Sequence, residues 1–333
     1  MERCTDIAIV GAGILGLAHA YVAASRGYRV AVFDRGPRAS GASVRNFGMI
    51  WPIGQPNGEM HATAMRSREL WVDVLQKARL PHFPTGSLHV TYRTDETAVA
   101  REFAEIAPSL GYECQWLEKP GVLERSGAVE PKNLIGGLWS ATELTVDPRL
   151  TIASLPAFLS DQFGVEFCVA TAVHAIQLPF VETGGGRWTA ERSIVCSGDD
   201  FETLFPEQFA GAGLTRVKLQ MLRTAPQPAG WQLGPALAAG LTLRFYPSFS
   251  ICSSLPVLRR RIADEAPEYD RWHIHGLVSQ TAQGELTLGD SHEYGPCVDI
   301  FNKEEIDSLI LRYISGFLRA PNMYGCRKLF STA

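Results

Sequence analysis

No stretch of about 20 consecutive apolar residues occurs, so the sequence offers no membrane span. No CxxC pair occurs among the seven cysteines, Cys4, Cys114, Cys168, Cys196, Cys252, Cys297 and Cys326, and their number is odd. That speaks against a zinc site and a disulfide framework, and it fits reduced thiols in a cytoplasmic protein. No metal site is expected. There is no excess of positive charge either: 31 Lys and Arg face 35 Asp and Glu, for a net charge of -4. With the basic residues dispersed, nucleic acid is a poor candidate for the main partner. The one short basic cluster, Arg259-Arg260-Arg261, reads as a solvated face or an anion contact. The N-terminal apolar run has no cleavage region after it, which argues against a signal peptide. Ser331-Thr332-Ala333 is no peroxisomal address. Nothing in the chain resembles a catalytic triad or a carboxylate dyad.

What is present is a compact unit at Asp6–Arg35, DIAIVGAGILGLAHAYVAASRGYRVAVFDR. Ile7, Ala8, Ile9 and Val10 suit a strand buried on both faces. Gly11, Gly13 and Gly16 follow in G-x-G-x-x-G spacing. Gly11 permits a tight turn, Gly13 leaves the backbone bare for a pyrophosphate, and Gly16 lets a helix pack closely. The spacing predicts a helix from about Ile14 to Arg26, with its free N–H groups and positive dipole end aimed at that phosphate. Gly27 can close it with a left-handed residue. Arg29–Phe33 reads as a second strand. Asp34 at its end, 18 residues past Gly16, can accept the hydroxyl protons of an adenosine ribose. A glycine turn alone serves packing as often as binding. With strand, helix, strand and acid in order, the stretch reads as a dinucleotide site, and Asp34 favours FAD or NAD over NADP.

After the Gly36-Pro37 turn comes ASGASVRNFG. Ser43 and Asn46 can donate to phosphate oxygens and Arg45 can pair with their charge; a polar connecting loop with a helix start is the plainer alternative. The Asp6–Arg35 unit followed by GASVRNFGMIWP resembles the FAD-dependent amine oxidases of the D-amino-acid, glycine and sarcosine oxidase superfamily. ASVRNFGMIWPIGQP, with MRSRELW soon after, is similar to one branch in particular, the FAD-dependent oxidoreductases found with phosphonate-catabolism genes. That branch is linked to 2-aminoethylphosphonate and its N-methyl derivatives. The resemblance implies an α/β fold, with a doubly wound Rossmann-like FAD domain and a β-rich substrate domain. It implies FAD contacts for Gly11, Gly13, Ile14, Gly16, Asp34, Arg35, Ser43, Arg45 and Asn46. It adds Val173, whose backbone would meet the adenine, and the turn residues Ser197 and Gly198.

Periodicity predicts helices over Glu59–Leu80, Asp95–Leu110, Pro120–Arg125 and Pro148–Phe163. Asp147 reads as the N-cap of the last, with Pro148 in its first turn. Strands are expected at Gly86–Tyr92, within Val165–Ile176, and at Trp188–Ser197, with Gly184-Gly185-Gly186 as a hairpin tip. His174 reads as a surface residue. Cys196 reads as a packed small residue, with no adjacent basic group to lower its pKa. From Leu214 to about Asp290 the chain reads as β-rich: LTRVKLQMLRT, LTLRFYPSF, RWHIHGLVSQ and GELTLGDSHEYG, punctuated by Pro and Gly. These strands are expected to roof the flavin. Asn302-Lys303-Glu304-Glu305 reads as a capping box. The helix it opens carries Ile306, Leu309, Ile310, Tyr313 and Phe317 on one face.

Two departures from the family pattern stand out. In sarcosine oxidases a lysine that activates oxygen precedes the Leu-Gly pair of the return strand; Thr287 holds that place here. The resemblance also covers only about residues 5 to 321. The family continues with a strand, then a glycine-rich turn and helix that cover the pyrimidine end of the isoalloxazine. NMYGCRKLFSTA is not similar to that continuation, which fits a truncated or frameshifted product or an alternative isoform. An exposed sheet edge, poor solubility and weaker FAD binding would follow.

The resulting expectation is an FAD domain built from 1–55, 135–213 and 289–333, and a substrate domain from 56–134 and 214–288. The expected activity is oxidation of a small amine, amino acid or aminophosphonate to an imine, with oxygen or another electron acceptor. Arg244, Tyr246, His275 and His292 are the substrate-side candidates, because a zwitterion or phosphonate needs a cation and hydrogen-bond donors. Each has a structural reading too. The rivals are an NAD-dependent dehydrogenase and a truncated relative that only binds.

Overall fold

The computed structural model describes residues 3–323 and 327–332; Cys326 lies outside them. The chain forms the N-terminal unit as the spacing demands. Strand β1, Arg3–Val10, runs into helix α1, Ile14–Ser25, and returns as strand β2, Val30–Phe33. β1 pairs parallel with β2, Ile7 opposite Val30 and Val10 opposite Phe33. Gly27 closes the turn after α1 at φ +86. A parallel pair needs a crossover, and α1 is that crossover.

This pair is the centre of a six-stranded sheet. Its order is Val173–Gln177, Phe180–Thr183, Gly186–Val195, β1, β2, Glu166–Cys168. The helix Pro148–Phe163 packs beside α1. Asp147 caps it, its carboxylate accepting from the N–H groups of Arg149 and Leu150 at 3.0 and 3.3 Å. The Phe180–Thr183 strand covers only Gly186–Thr189 of its neighbour. Among the described residues, Glu191–Val195 have no strand on the side away from β1.

A second, eight-stranded sheet has the order Arg327–Thr332, Arg216–Arg223, Leu286–Gly295, Leu277–Gln280, Ala236–Ala239, Ser87–Thr91, Gly136–Ser140, Cys114–Glu118. The end of the chain thus adds an edge strand here. Sheet membership also differs from the expected division. Gly136–Ser140 and Leu286–Gly295 lie in this sheet, whereas the expected FAD domain takes in 135–213 and 289–333. Apolar side chains on one face of the sheet explain why: Leu88, Leu138, Leu222, Val278 and Leu288 share one core with Phe103, Ile262, Ile306 and Ile310. The helices Thr94–Ile106, Leu255–Glu265 and Glu304–Ile314 cover that face. The opposite face carries a smaller cluster in which Met221, Ala238 and Leu277 meet Phe47 from the loop after β2.

The β-rich reading of 214–290 holds for Arg216–Arg223, Ala236–Ala239, Leu277–Gln280 and the strand from Leu286, with helical turns between them. LTLRFYPSF is a short helix, Gly240–Leu243, followed by a 3-10 turn, Pro247–Ile251. RWHIHGLVSQ contributes only Leu277–Gln280, after a short helix, Pro267–Arg271, and an irregular stretch. Short apolar runs fit either period, and here burial on all sides hid the helical turns. The capping box is also corrected. Lys303 is the N-cap of Glu304–Ile314, with no side-chain cap bond, and the buried Asn302 side-chain oxygen has no partner among the described residues. Among the described residues no helix is long and apolar enough to cross a membrane.

Candidate functional site

The three glycines do different work. Gly11 sits at φ +103, and a Cβ there would lie 2.1 Å from the Cys196 carbonyl oxygen. A Cβ on Gly16 would lie 1.8 Å from the Gly11 carbonyl oxygen. Both are therefore packing glycines that weld β1, α1 and the 186–196 strand together. Gly13 is different: a Cβ there meets only the Ser43 hydroxyl, at 3.1 Å. Its bare backbone faces a cavity of about 640 Å3 at the start of α1.

Most of the anticipated residues line that cavity: Gly11, Gly13, Ile14, Asp34, Arg35 and Ser43, joined by Val173, Ser197 and Gly198. Asp34 is fixed from both sides, one oxygen accepting from Ala12 N–H and the other from Gly36 N–H, each at 2.8 Å. Ser43 Oγ accepts from Ile14 N–H at 2.9 Å, which leaves its own proton to donate. Arg35 pairs with Asp200 at 2.7 Å across the rim. Three expectations shift. Arg45 and Asn46 do not line the cavity, and Asn46 turns its oxygen to the Phe47 N–H at 2.7 Å. Gly16 lies beneath the cavity wall. His174, read as a plain surface residue, is exposed but lines the cavity too. Cys196 does have a basic neighbour in space, His19, at 4.0 Å; burial nonetheless pushes its thiol up, so it is no nucleophile.

On the second sheet, Tyr246, His275 and His292 come together, whereas Arg244 turns elsewhere. The Tyr246 and His275 rings are 6.0 Å apart, and His275 and His292 4.7 Å. Arg244 and Tyr246 flank the Gly240–Leu243 helix rather than lying on strands. The Arg244 guanidinium donates to the Tyr269 and Ile274 carbonyls, stands 3.2 Å from Asp270 and covers the Phe245 ring. Burial lowers its pKa to about 10, which leaves it charged. Of the neighbouring basic cluster, Arg259 donates to the Arg244 carbonyl and Arg261 pairs with Asp95 and Glu96.

Sequence reasoning missed Asp290. It is buried beside His292, with Oδ2 3.7 Å from Nε2, and burial raises its carboxyl to about 6. Burial also holds His275 well below the ordinary histidine range, helped by His292 and Arg244. His89 and Trp51 were missed as well. Their rings lie 5.5 Å apart, and Trp51 lies 6.3 Å from Tyr246. Trp51 stands inside the GMIWP motif, and His89 sits between Leu88 and Val90 in the middle of a strand; those were the available signals. Thr287 has a cation beside it after all, because Arg223 on the adjacent strand donates to its hydroxyl at 3.3 Å.

Comparison with known proteins accounts for this arrangement. Residues 6–320 match the family described as DAO, FAD dependent oxidoreductase. The chain belongs to that family. Glycine oxidase from Geobacillus kaustophilus is 25% identical over 210 residues, 60% of this chain and 55% of that protein. The bifunctional protein ThiO/ThiG of Trichormus variabilis is 27% identical over 231 residues, 66% of this chain and 34% of that protein. The matches thus span about half or less of the curated relatives' length. In fold, the chain is similar to the crystal structure of the Geobacillus kaustophilus glycine oxidase, with a TM-score of 0.75 at 19% identity, covering 99% of this chain and 82% of that one. It is similar too to L-alpha-glycerophosphate oxidase from Mycoplasma pneumoniae, solved with FAD bound, with a TM-score of 0.74 at 18% identity, covering 99% and 83%. The cavity residues suit the family's cofactor. Gly13 leaves room for a pyrophosphate, Ser43 and the start of α1 offer donors, and Asp34 holds a carboxylate where a ribose would lie.

Proposed function

We propose that this chain holds FAD and oxidises the C–N bond of a small amine, amino acid or aminophosphonate to an imine. The cavity at the start of α1 carries the reading, with Gly13 bare, Asp34 locked by two backbone N–H groups and Ser43 ready to donate. FAD, when bound, supplies a two-electron acceptor for the hydride leaving the substrate carbon. A neutral amine needs no side-chain base for that step, and water then splits the imine into a carbonyl compound and an amine. Gly11, Gly13, Ile14, Ser43, Asp34, Val173, Ser197 and Gly198 serve the adenosine diphosphate half. Tyr246, His275 and His292 face the substrate, and Asp290 Oδ1, buried without a partner, offers an acceptor for its amine. Arg223, paired with Glu285 at 3.3 Å, also donates to Thr287, the position held by the oxygen-activating lysine of sarcosine oxidases. An aminophosphonate substrate rests on the ASVRNFGMIWPIGQP wording alone.

The test is an absorbance spectrum of the purified chain after addition of FAD and gel filtration. Flavin bands that stay with the protein, and bleach anaerobically with glycine, sarcosine or 2-aminoethylphosphonate, are the expected result. A chain that retains no flavin overturns the reading.

A further inference from the structure

His89 has no structural purpose that its surroundings reveal. It lies mid-strand in Ser87–Thr91, wholly buried, and neither ring nitrogen has a hydrogen-bond partner among the described residues. Its ring neighbours are the Trp51 ring and the Phe249 ring, at 5.5 and 5.4 Å between centroids. The Trp51 indole N–H is also buried without an acceptor. Three orphaned atoms thus belong to two neighbouring rings. Such atoms are rare in native interiors because each forfeits its bonds to water. Their place in the sheet matters. Leu88 and Val90 point into the helix-covered core, so His89 points to the opposite face. Its register partner there is Ala238, which packs on Phe47 and Met221. That is the face against which the loop following β2 lies.

We infer that His89 and Trp51 are the receptor for the acid end of the substrate, a carboxylate or phosphonate held by two neutral N–H donors. This rests on the oxidase reading of the same site and adds specificity residues to it. No charged group bears on His89, and burial alone drives its pKa to about 3, so the imidazole is neutral, with one donor and one acceptor nitrogen. A carboxylate satisfies the two N–H groups. A phosphonate monoanion satisfies both and also offers its P–OH to the imidazole lone pair. In a site this dry, neutral donors bind an anion strongly. Tyr246, half-buried, lies next to Trp51, with 6.3 Å between the ring centroids.

The experiment compares the full chain with H89L and W51F. Acetate and methylphosphonate serve as redox-inert probes, with dissociation constants read from ligand-induced shifts in thermal unfolding, with and without FAD. Loss of a hydrogen bond to a charged group weakens binding on the order of 10-fold or more in each variant. Weakening confined to acetate identifies a carboxylate, and weakening confined to methylphosphonate a phosphonate. W51F, which keeps the packing, decides the matter where H89L folds poorly. Unchanged affinity in W51F, or no measurable affinity for either probe in the parent, overturns the inference. A parent that binds a probe but takes up no FAD keeps the anion receptor and overturns the oxidase reading that makes its ligand a substrate.

Discussion

Replacing Gly11 and Gly13 with alanine, one at a time, separates the packing glycine from the binding glycine. At Gly11 the new Cβ would sit 2.1 Å from the Cys196 carbonyl oxygen, on a backbone at φ +103. Two penalties add. A positive-φ alanine costs about 1–2 kcal/mol, and overpacking against backbone costs about 1–3 kcal/mol. The expected loss is therefore roughly 2–5 kcal/mol, against a total stability of about 5–15 kcal/mol for an ordinary domain. At Gly13 the backbone is extended, with φ -73, and the new methyl meets only a side-chain hydroxyl at 3.1 Å. Gly13 is also the N-cap of α1, where alanine is less favourable than glycine by about 1 kcal/mol or less. Urea unfolding of the FAD-free chains should thus show G11A strongly destabilised and G13A close to the parent. FAD titration should reverse the order of interest: G13A folds but binds FAD at least 10-fold more weakly, because its methyl fills the place of the pyrophosphate. The reasoning fails if G13A binds FAD like the parent, or if G11A unfolds no sooner than G13A.

Three other outcomes are expected. Asp147→Ala removes the cap of Pro148–Phe163 and should cost about 0.5–2 kcal/mol in urea unfolding, since two backbone N–H groups lose their acceptor. Asp34→Asn keeps the shape but places an NH2 group against a backbone N–H, so it should lower stability by about 1–3 kcal/mol and weaken FAD binding in the same titration. Asp290 gives a pH signature. Its folded pKa of about 6 lies above the usual carboxylate value, so its share of stability is present below the unfolded pKa and is lost as pH rises through 6. The swing is about 3 kcal/mol between pH ~4 and ~7. His275, whose folded pKa is depressed, titrates in the opposite sense: its share is present above the unfolded histidine pKa and lost as pH falls. The readout is therefore the difference between parent and D290N across that range. A difference independent of pH would refute the buried-carboxylate account.

The sequence alone determined the elements whose chemistry is local. Strand, glycine turn, helix, strand and Asp34 follow one another in 30 residues, and each glycine states its own steric requirement. The capped helix at Pro148 is local in the same sense, because Asp147 and Pro148 act on the turn they begin. Only the tertiary structure decided the rest. The Gly240–Leu243 helix reads as a strand because burial on every side erases the polar positions that reveal a period. Sheet membership of Gly136–Ser140 depends on pairing with Ser87–Thr91 and Cys114–Glu118, and no residue in it records those partners. The cavity wall draws Val173 and Ser197 to Gly13 through parallel pairing of the 186–195 strand with β1. His89 meets Trp51 across 38 positions of chain, and their unpaired nitrogens have meaning only once the fold has removed them from water.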